Sequence, residues 1–378
     1  MHSYVNRGGS RISGKMNAML RSAMYSRAPH TFFGSSGRRL RGQCARSTAP
    51  WRAAVTLEDG FLTREPSSAT LDSKSILLCG EGDFSFARAL VSLSTAETTL
   101  RVTATSYEPV DDINRLWGGA ENLRALRDVP GVELLHGIDA TSLDARFEGR
   151  IWDRICFMFP HIAGKGRISL NRELLAGFFR AVSHVLAPGG AVEVALVAGQ
   201  GGTVTDGDAQ RDYGNTWQAA TQAAEGGFVL VDTALFDAAA WEARGYRSRG
   251  HWRGLTQERG FQVRAGVVHL FRREGELDGV TCPEPVTYYR DVSFWVTDPD
   301  CFSEATLHDV VKDTAGYSVD ATCSTFEEYV HEDGRVSRTI RVAYSSRVLA
   351  YSKQRANASQ FALRDAFEAG RVPGSELR

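Results

Sequence analysis

The chain lacks any run approaching the roughly 18 consecutive apolar residues that a membrane span needs, so no membrane partner is expected. Its six cysteines, Cys44, Cys79, Cys156, Cys282, Cys301 and Cys323, contain no C-x-x-C pair. Two of them fall inside apolar strand-like runs, which points to a reducing compartment and to no zinc or other metal site. Acidic residues are absent before Glu58, while residues 1–57 carry ten Lys and Arg among serines and small residues. That is the composition of an organellar transit peptide, and mitochondrial import is the expectation. The alternatives are a plastid, or a cytoplasmic or nucleolar location if the leader is a disordered basic arm that touches RNA. The formal net charge of −1 averages unlike segments: without the leader the rest is acidic, so nucleic-acid binding has to come from local patches. The 378 residues, 43% hydrophobic and 24% charged, suit two domains with real cores plus an extension.

What is present begins with Ile76-Leu77-Leu78-Cys79, an apolar run that breaks at Gly80-Glu81-Gly82-Asp83-Phe84-Ser85-Phe86 and restarts with helical spacing. It reads as a strand, a tight glycine turn and a helix N-terminus, the place where a Rossmann-like sheet holds a nucleotide. A dinucleotide fingerprint would continue with Gly or Ala at Ser85; a glycine pair followed by an aromatic suits S-adenosylmethionine, which has no pyrophosphate to cradle. An ordinary strand-to-helix turn is the other reading. Val102 to Tyr107 is a second strand candidate ending at Glu108, where an acid accepts ribose hydroxyls. Val132 to His136 is a third, and Asp153 to His161 a fourth that closes on Phe159-Pro160-His161. Ala187-Pro188-Gly189-Gly190 ends a helix and turns into a fifth strand, Ala191 to Val197. Strands alternating with helical patterns imply a parallel α/β sheet.

GEGDFSF at 80–86, ATSYE at 104–108, GIDAT at 137–141, FPH at 159–161 and NRELL at 171–175 resemble the large-subunit rRNA uridine-N3-methyltransferase-like family. The resemblance continues through GQGGT at 199–203, NTWQ at 215–218 and GYRS at 245–248, and the first two blocks are similar to the branch of ferredoxin-fold anticodon-binding domain-containing proteins. After the proline linker Cys282-Pro283-Glu284-Pro285, Tyr289 to Val296 alternates with period two. Helix (Ser303 to Gly316), strand (Val319 to Tyr329), strand (Ser337 to Ser345), helix (Asn357 to Ala369) and a last strand (Glu376 to Arg378) follow, the order of a ferredoxin-like split βαβ. RDVSFWV and the closing GSELR resemble the anticodon-binding domain that ends mitochondrial phenylalanyl-tRNA synthetases. The expected division is a leader at 1–57, a Rossmann-like class I methyltransferase domain at 72–275 and an α+β ferredoxin-like domain at 286–378.

The resemblance implies an S-adenosylmethionine-dependent RNA methyltransferase producing N3-methyluridine in rRNA or tRNA, with a terminal module that binds tRNA or other RNA. By it, Gly80, Glu81, Gly82, Asp83 and Phe84 line the cofactor, Glu108 takes the ribose hydroxyls and Asp139 the adenine amine, donors that carboxylates suit. Asp139 could instead cap the following turn through Asp-Ala-Thr. Phe159, Pro160 and His161 stand on the catalytic side, His161 as proton acceptor. Where the family usually has Asn before Phe-Pro-His, this chain has Met158, which packs but barely accepts. An RNA-binding protein that keeps the methyltransferase fold as a scaffold or cofactor sensor is therefore the alternative. Two patches are expected to meet RNA: Arg244, Arg247, Arg249 and Arg253 with Tyr246, His251 and Trp252 as stacking faces, and a terminal group including Arg338, Arg341, Arg347 and Lys353. Strand parity separates Arg341 and Ala343 from Val342 and Tyr344, turning part of the arginine face outward.

Overall fold

The computed structural model describes residues 75–94, 100–162, 167–248 and 263–378. The basic leader, Arg249, His251, Trp252 and Arg253 lie outside the described residues.

Seven strands form one sheet in the order β3-β2-β1-β4-β5-β7-β6: β1 (Ser75–Cys79), β2 (Arg101–Thr105), β3 (Val132–Leu135), β4 (Trp152–Met158), β5 (Leu186–Leu196), β6 (Phe228–Leu235) and β7 (Val267–Arg273). β1 to β5 are parallel, and β7 is inserted antiparallel between β5 and β6. This is a Rossmann-like sheet. Helices cover it: α1 (Ser85–Val91), the single turn α2 (Val110–Asp112), α3 (Ala120–Leu126), α4 (Leu143–Arg146), α5 (Ile168–Val182), α6 (Ala219–Ala224) and α7 (Ala238–Ala243). Burial on both faces explains why β1 is a continuous apolar run instead of an alternating one, with Ile76, Leu77 and Leu78 wholly inaccessible. Strand order reverses between β1 and β4, the switch point at which the carboxyl ends of such sheets take ligands.

One strand differs from expectation. α5 ends at Val182, and Ala187 to Gly190 belongs to β5, which begins at Leu186 opposite Trp152 and shifts register before Ala191 meets Arg154. Pro188 has no N–H to give a ladder, so it sits in the exposed bulge with Gly189, whose φ of +71° suits glycine.

Beyond the linker, β8 (Tyr288–Val296), α8 (Glu304–Ala315), β9 (Asp320–Val330), β10 (Val336–Ser345), α9 (Lys353–Glu368) and β11 (Ser375–Leu377) build a separate antiparallel sheet in the order β11-β8-β10-β9. That order makes it a ferredoxin-like split βαβ. Ser303 caps α8 by accepting from the Thr306 N–H. α9 starts at Lys353, before the expected Asn357, because the Ser352 hydroxyl accepts from the Arg355 N–H and supplies a cap there. Both helices lie on one face, over Val292, Phe294, Ile340, Val342 and Tyr344. The other face is open.

The two sheets are joined by polar contacts. The Glu274 carboxylate accepts from the Ala350 N–H at 3.0 Å and pairs with Arg355 at 2.9 Å. Arg347 Nη1 donates to the carbonyls of Cys282 and Pro283, and the Glu284 carboxylate accepts from the Val204 N–H at 2.9 Å.

Candidate cofactor site and RNA face

β1 delivers the chain to Gly80, whose φ is +68° and where a Cβ would lie 2.7 Å from the Phe157 ring, so only glycine fits. The chain then turns through Gly82 and Asp83 to Phe84, which opens α1 with a left-handed φ of 60°. Phe84 is buried with its ring edge-on to His136 at 5.3 Å, so what it supplies to the site is backbone shape. The Ser85 N–H donates to Asp83 Oδ1 at 2.9 Å, and the Ala87 N–H donates to Glu81 Oε2 at 3.2 Å. Two donors at the N-terminus of α1 are thus occupied by the chain's own carboxylates, where a pyrophosphate-binding turn would leave them open. Burial, opposed by the bond from Ala87 and helped by Asp83, pushes the Glu81 carboxyl up to about 8.

Beyond the end of β2, Glu108 is half-buried, and among the described residues nothing bonds its carboxylate, whereas its carbonyl accepts from the Ser106 hydroxyl and the Gly137 N–H. It is free to accept from hydroxyls. Asp139, past β3, turns Oδ1 to the Thr141 N–H at 2.8 Å and to the Thr141 hydroxyl at 2.7 Å. The capping arrangement is therefore present, and any adenine contact would have to use its remaining oxygen.

On the other side of the switch point, Met158 is the last residue of β4, and Phe159 takes a left-handed φ of 49°. Phe159 and Pro160 are buried, the former against Phe236 at 5.3 Å. Both shape the turn at the end of β4. His161 is half-buried, its ring 6.0 Å from that of Trp217. Loops whose roles sequence reasoning left blank hold this side together. Arg172 donates to the carbonyls of Thr216 and Gly214, and Asn171 Oδ1 accepts from the Ile162 N–H at 3.1 Å. The buried Asp206 carboxylate accepts from the N–H groups of Gly199, Gly202 and Thr203, drawing GQGGT into a tight loop. Gln218 is also left-handed, with φ 56°. Of the described non-glycine residues with positive φ, Phe84, Phe159 and Gln218 all lie in turns that leave the carboxyl edge of the sheet; such conformations cost energy and concentrate at functional sites.

The expected basic patches are rearranged. Tyr246 is buried and edge-on to Phe86, so it cannot stack on a base. Arg247 is exposed, and its backbone exchanges hydrogen bonds with the Ser85 hydroxyl, which places it beside the glycine turn. In the terminal sheet, Arg338 projects to the helix side and pairs with Glu328 and Glu304; Arg347 is spent on the linker carbonyls; Lys353 is exposed at the start of α9. Period-two alternation and these pairings distribute the arginines over different faces. Arg341 does face outward, bonded by two nitrogens to Asp291 at 2.8 Å each and lying 3.9 Å over the Phe326 ring. Arg341 holds the Asp291 carboxyl below its usual range. With it on the open face stand Tyr289, Phe326 and Tyr329, 61%, 55% and 52% exposed, and Trp295 with the Arg335 guanidinium 4.5 Å over its ring. Sequence reasoning named the arginines and missed these aromatics: Tyr289 and Trp295 share parity along β8, but Phe326 and Tyr329 lie three residues apart and the register shift between β9 and β10 falls at Phe326.

Residues 77–250 match the family described as BMT5-like, rRNA (uridine-N3-)-methyltransferase BTM5-like. Ferredoxin-fold anticodon-binding domain-containing protein 1 of Homo sapiens is 39% identical over 208 residues, 54% of this chain and 32% of that protein. The Mus musculus homolog is 37% identical over 232 residues, 60% of this chain and 35% of the other. The chain thus spans about a third of the length of these curated relatives. Among solved structures, TrmN from Thermus thermophilus shares 16% identity over 55% of this chain and 46% of its own, with a TM-score of 0.32. Aeropyrum pernix fibrillarin with natively bound S-adenosyl-L-methionine shares 12% over 53% and 67%, with a TM-score of 0.33. Likeness that remote carries no argument about activity.

Proposed function

We propose that the chain is an S-adenosylmethionine-dependent RNA methyltransferase that modifies N3 of an unpaired uridine, with the terminal sheet as its RNA-holding face. The observation that carries the reading is the character of the turn after β1: donors of α1 are occupied by Asp83 and Glu81, and the Glu108 carboxylate stands uncommitted beyond β2. A site with acceptors on offer and these helix donors occupied suits a cationic ligand with ribose hydroxyls and leaves a pyrophosphate fewer N–H partners. Gly80 and Gly82 let the backbone approach the ligand, Glu108 accepts from the ribose, and Asp139 offers its remaining oxygen to the adenine amine. The bound sulfonium supplies an activated methyl group. The chain's own part is to hold an extruded uracil with its Watson–Crick edge forward and to receive the N3 proton, for which His161 is the imidazole at the β4 end. Arg172 and Asp206 fix the loops on either side of Trp217, keeping that half of the site in shape.

A second reading, an RNA-binding scaffold that retains the cofactor fold, is favoured by one observation: Met158 ends β4 where the family usually has Asn. The distinguishing experiment is transfer of labelled methyl from S-adenosylmethionine to RNA, followed by digestion to nucleosides. Labelled 3-methyluridine, lost in His161→Ala, supports the enzyme. Saturable cofactor binding with no label in RNA supports the scaffold.

A further inference from the structure

Between β2 and α3 the chain makes a π-helical turn, Ile113–Trp117, followed by Gly118 with φ +69°. π-turns are rare and recur at functional sites. This one is pressed against the glycine turn. A Cβ on Gly119 would lie 3.0 Å from the Asp83 carbonyl oxygen, and Asn122 Nδ2 donates to that oxygen at 2.8 Å. The Trp117 ring covers Gly82, where a Cβ would be 3.6 Å from Cδ2. Its indole nitrogen is sealed from solvent and has no partner among the described residues, whereas the Trp152 indole N–H donates to the Thr103 hydroxyl at 3.3 Å. A buried donor left unpaired calls for an explanation, and a bound ligand group is one.

The surrounding bonds say which ligand group it would be. The Glu81 N–H is given to the Thr105 carbonyl, the Ser85 N–H to Asp83 and the Ala87 N–H to Glu81. The side chains of this turn, Glu81 and Asp83, already accept from two of these N–H groups and bring no cationic partner for the methyl donor's carboxylate. Besides the turn's own backbone N–H groups, a buried side-chain donor without a partner among the described residues stands beside Gly82, the Trp117 indole. We propose that Trp117 is a further cofactor-binding residue, its ring walling the Gly82 turn and its Nε1–H donating to the amino-acid carboxylate of the methyl donor. The inference rests on the proposed cofactor.

The test is calorimetric titration of the full chain and its Trp117→Phe and Trp117→Leu variants with two ligands: S-adenosylhomocysteine, which has the amino-acid end, and 5′-methylthioadenosine, which lacks it. The Phe variant keeps the ring without the donor. It is expected to weaken S-adenosylhomocysteine about tenfold or more and to leave 5′-methylthioadenosine unchanged, while the Leu variant weakens both. Equal affinity of Trp117→Phe and the parent for S-adenosylhomocysteine overturns the proposal and leaves the cofactor reading standing. A parent chain that binds neither ligand overturns both. Should the variants fold poorly, the indole N–H resonance of Trp117 in the parent, labelled with 15N-tryptophan, decides: it shifts with S-adenosylhomocysteine and not with 5′-methylthioadenosine, and an unmoved resonance with either ligand at saturation overturns the proposal.

Discussion

Replacing Glu81 by glutamine isolates the buried carboxyl at the start of α1. The amide keeps an acceptor for the Ala87 N–H and has no proton to lose. In the folded parent the carboxyl titrates at about 8, against 4.5 for an unperturbed glutamate. Between those values the folded chain holds a proton that the unfolded chain has released. The group's contribution is therefore fully present below about pH 4.5 and is lost as pH rises through about 8. Each pH unit in that window removes about 1.4 kcal/mol, so from pH 6 to pH 8 the parent should lose about 2–3 kcal/mol relative to Glu81→Gln. Other groups titrate alike in both proteins and cancel in the difference. Urea unfolding of the two chains at pH 6, 7 and 8 reads it directly, the parent's midpoint falling behind the variant's as pH rises. Parallel curves would refute the reasoning, because they would mean that Glu81 is already ionised in the folded chain. The same proton links to ligand binding. A cationic ligand beside Glu81 favours its ionised form, so affinity for S-adenosylmethionine should rise from pH 6 to pH 8 more than affinity for the uncharged sulfur of S-adenosylhomocysteine.

Further outcomes are expected. Gly201→Ala drives a Cβ into His269 Nε2 in the core, so its urea midpoint should fall by the equivalent of about 1–3 kcal/mol, and His269→Ala in the same chain should recover part of that loss. Glu108→Ala removes no bond among the described residues and should hold stability within about 0.5 kcal/mol while weakening S-adenosylhomocysteine in calorimetry; Asp139→Ala breaks the bonds to Thr141 and should cost about 1 kcal/mol in urea unfolding. Phe326→Ala should weaken single-stranded RNA by about 1–3 kcal/mol in a gel-shift titration with an unchanged salt slope, since Arg341 is already neutralised by Asp291 and the face holds bases more by stacking than by charge.

Much of the fold was readable where one physical demand dominates. The run Ile76 to Cys79 has to be a strand covered on both faces, and Gly80 has to be glycine because its φ is positive and Phe157 crowds its Cβ. Ser303 and Gly316 bracket α8 as cap residues do. Legibility failed where a residue type satisfies several environments. Pro188-Gly189 could end a helix or bulge a strand, and only the register of β5 against β4 decides. Arginines at 338, 341 and 347 look alike in sequence, yet alternation and their carboxylate or carbonyl partners send them to a helix face, an open face and a linker. Tyr246 stacks in the core instead of on a base because Phe86 and Phe236 come from distant segments. Trp117 carried no local signal, since its importance depends on a π-turn folding back onto Gly82.

The most direct test of the central claim is calorimetric titration of S-adenosylhomocysteine into the purified chain and its Glu108→Ala variant. A site at the carboxyl ends of β1, β2 and β3 predicts saturable one-to-one heat in the parent and markedly weaker binding in the variant. No saturable heat in the parent, or identical isotherms for the two proteins, would contradict the account.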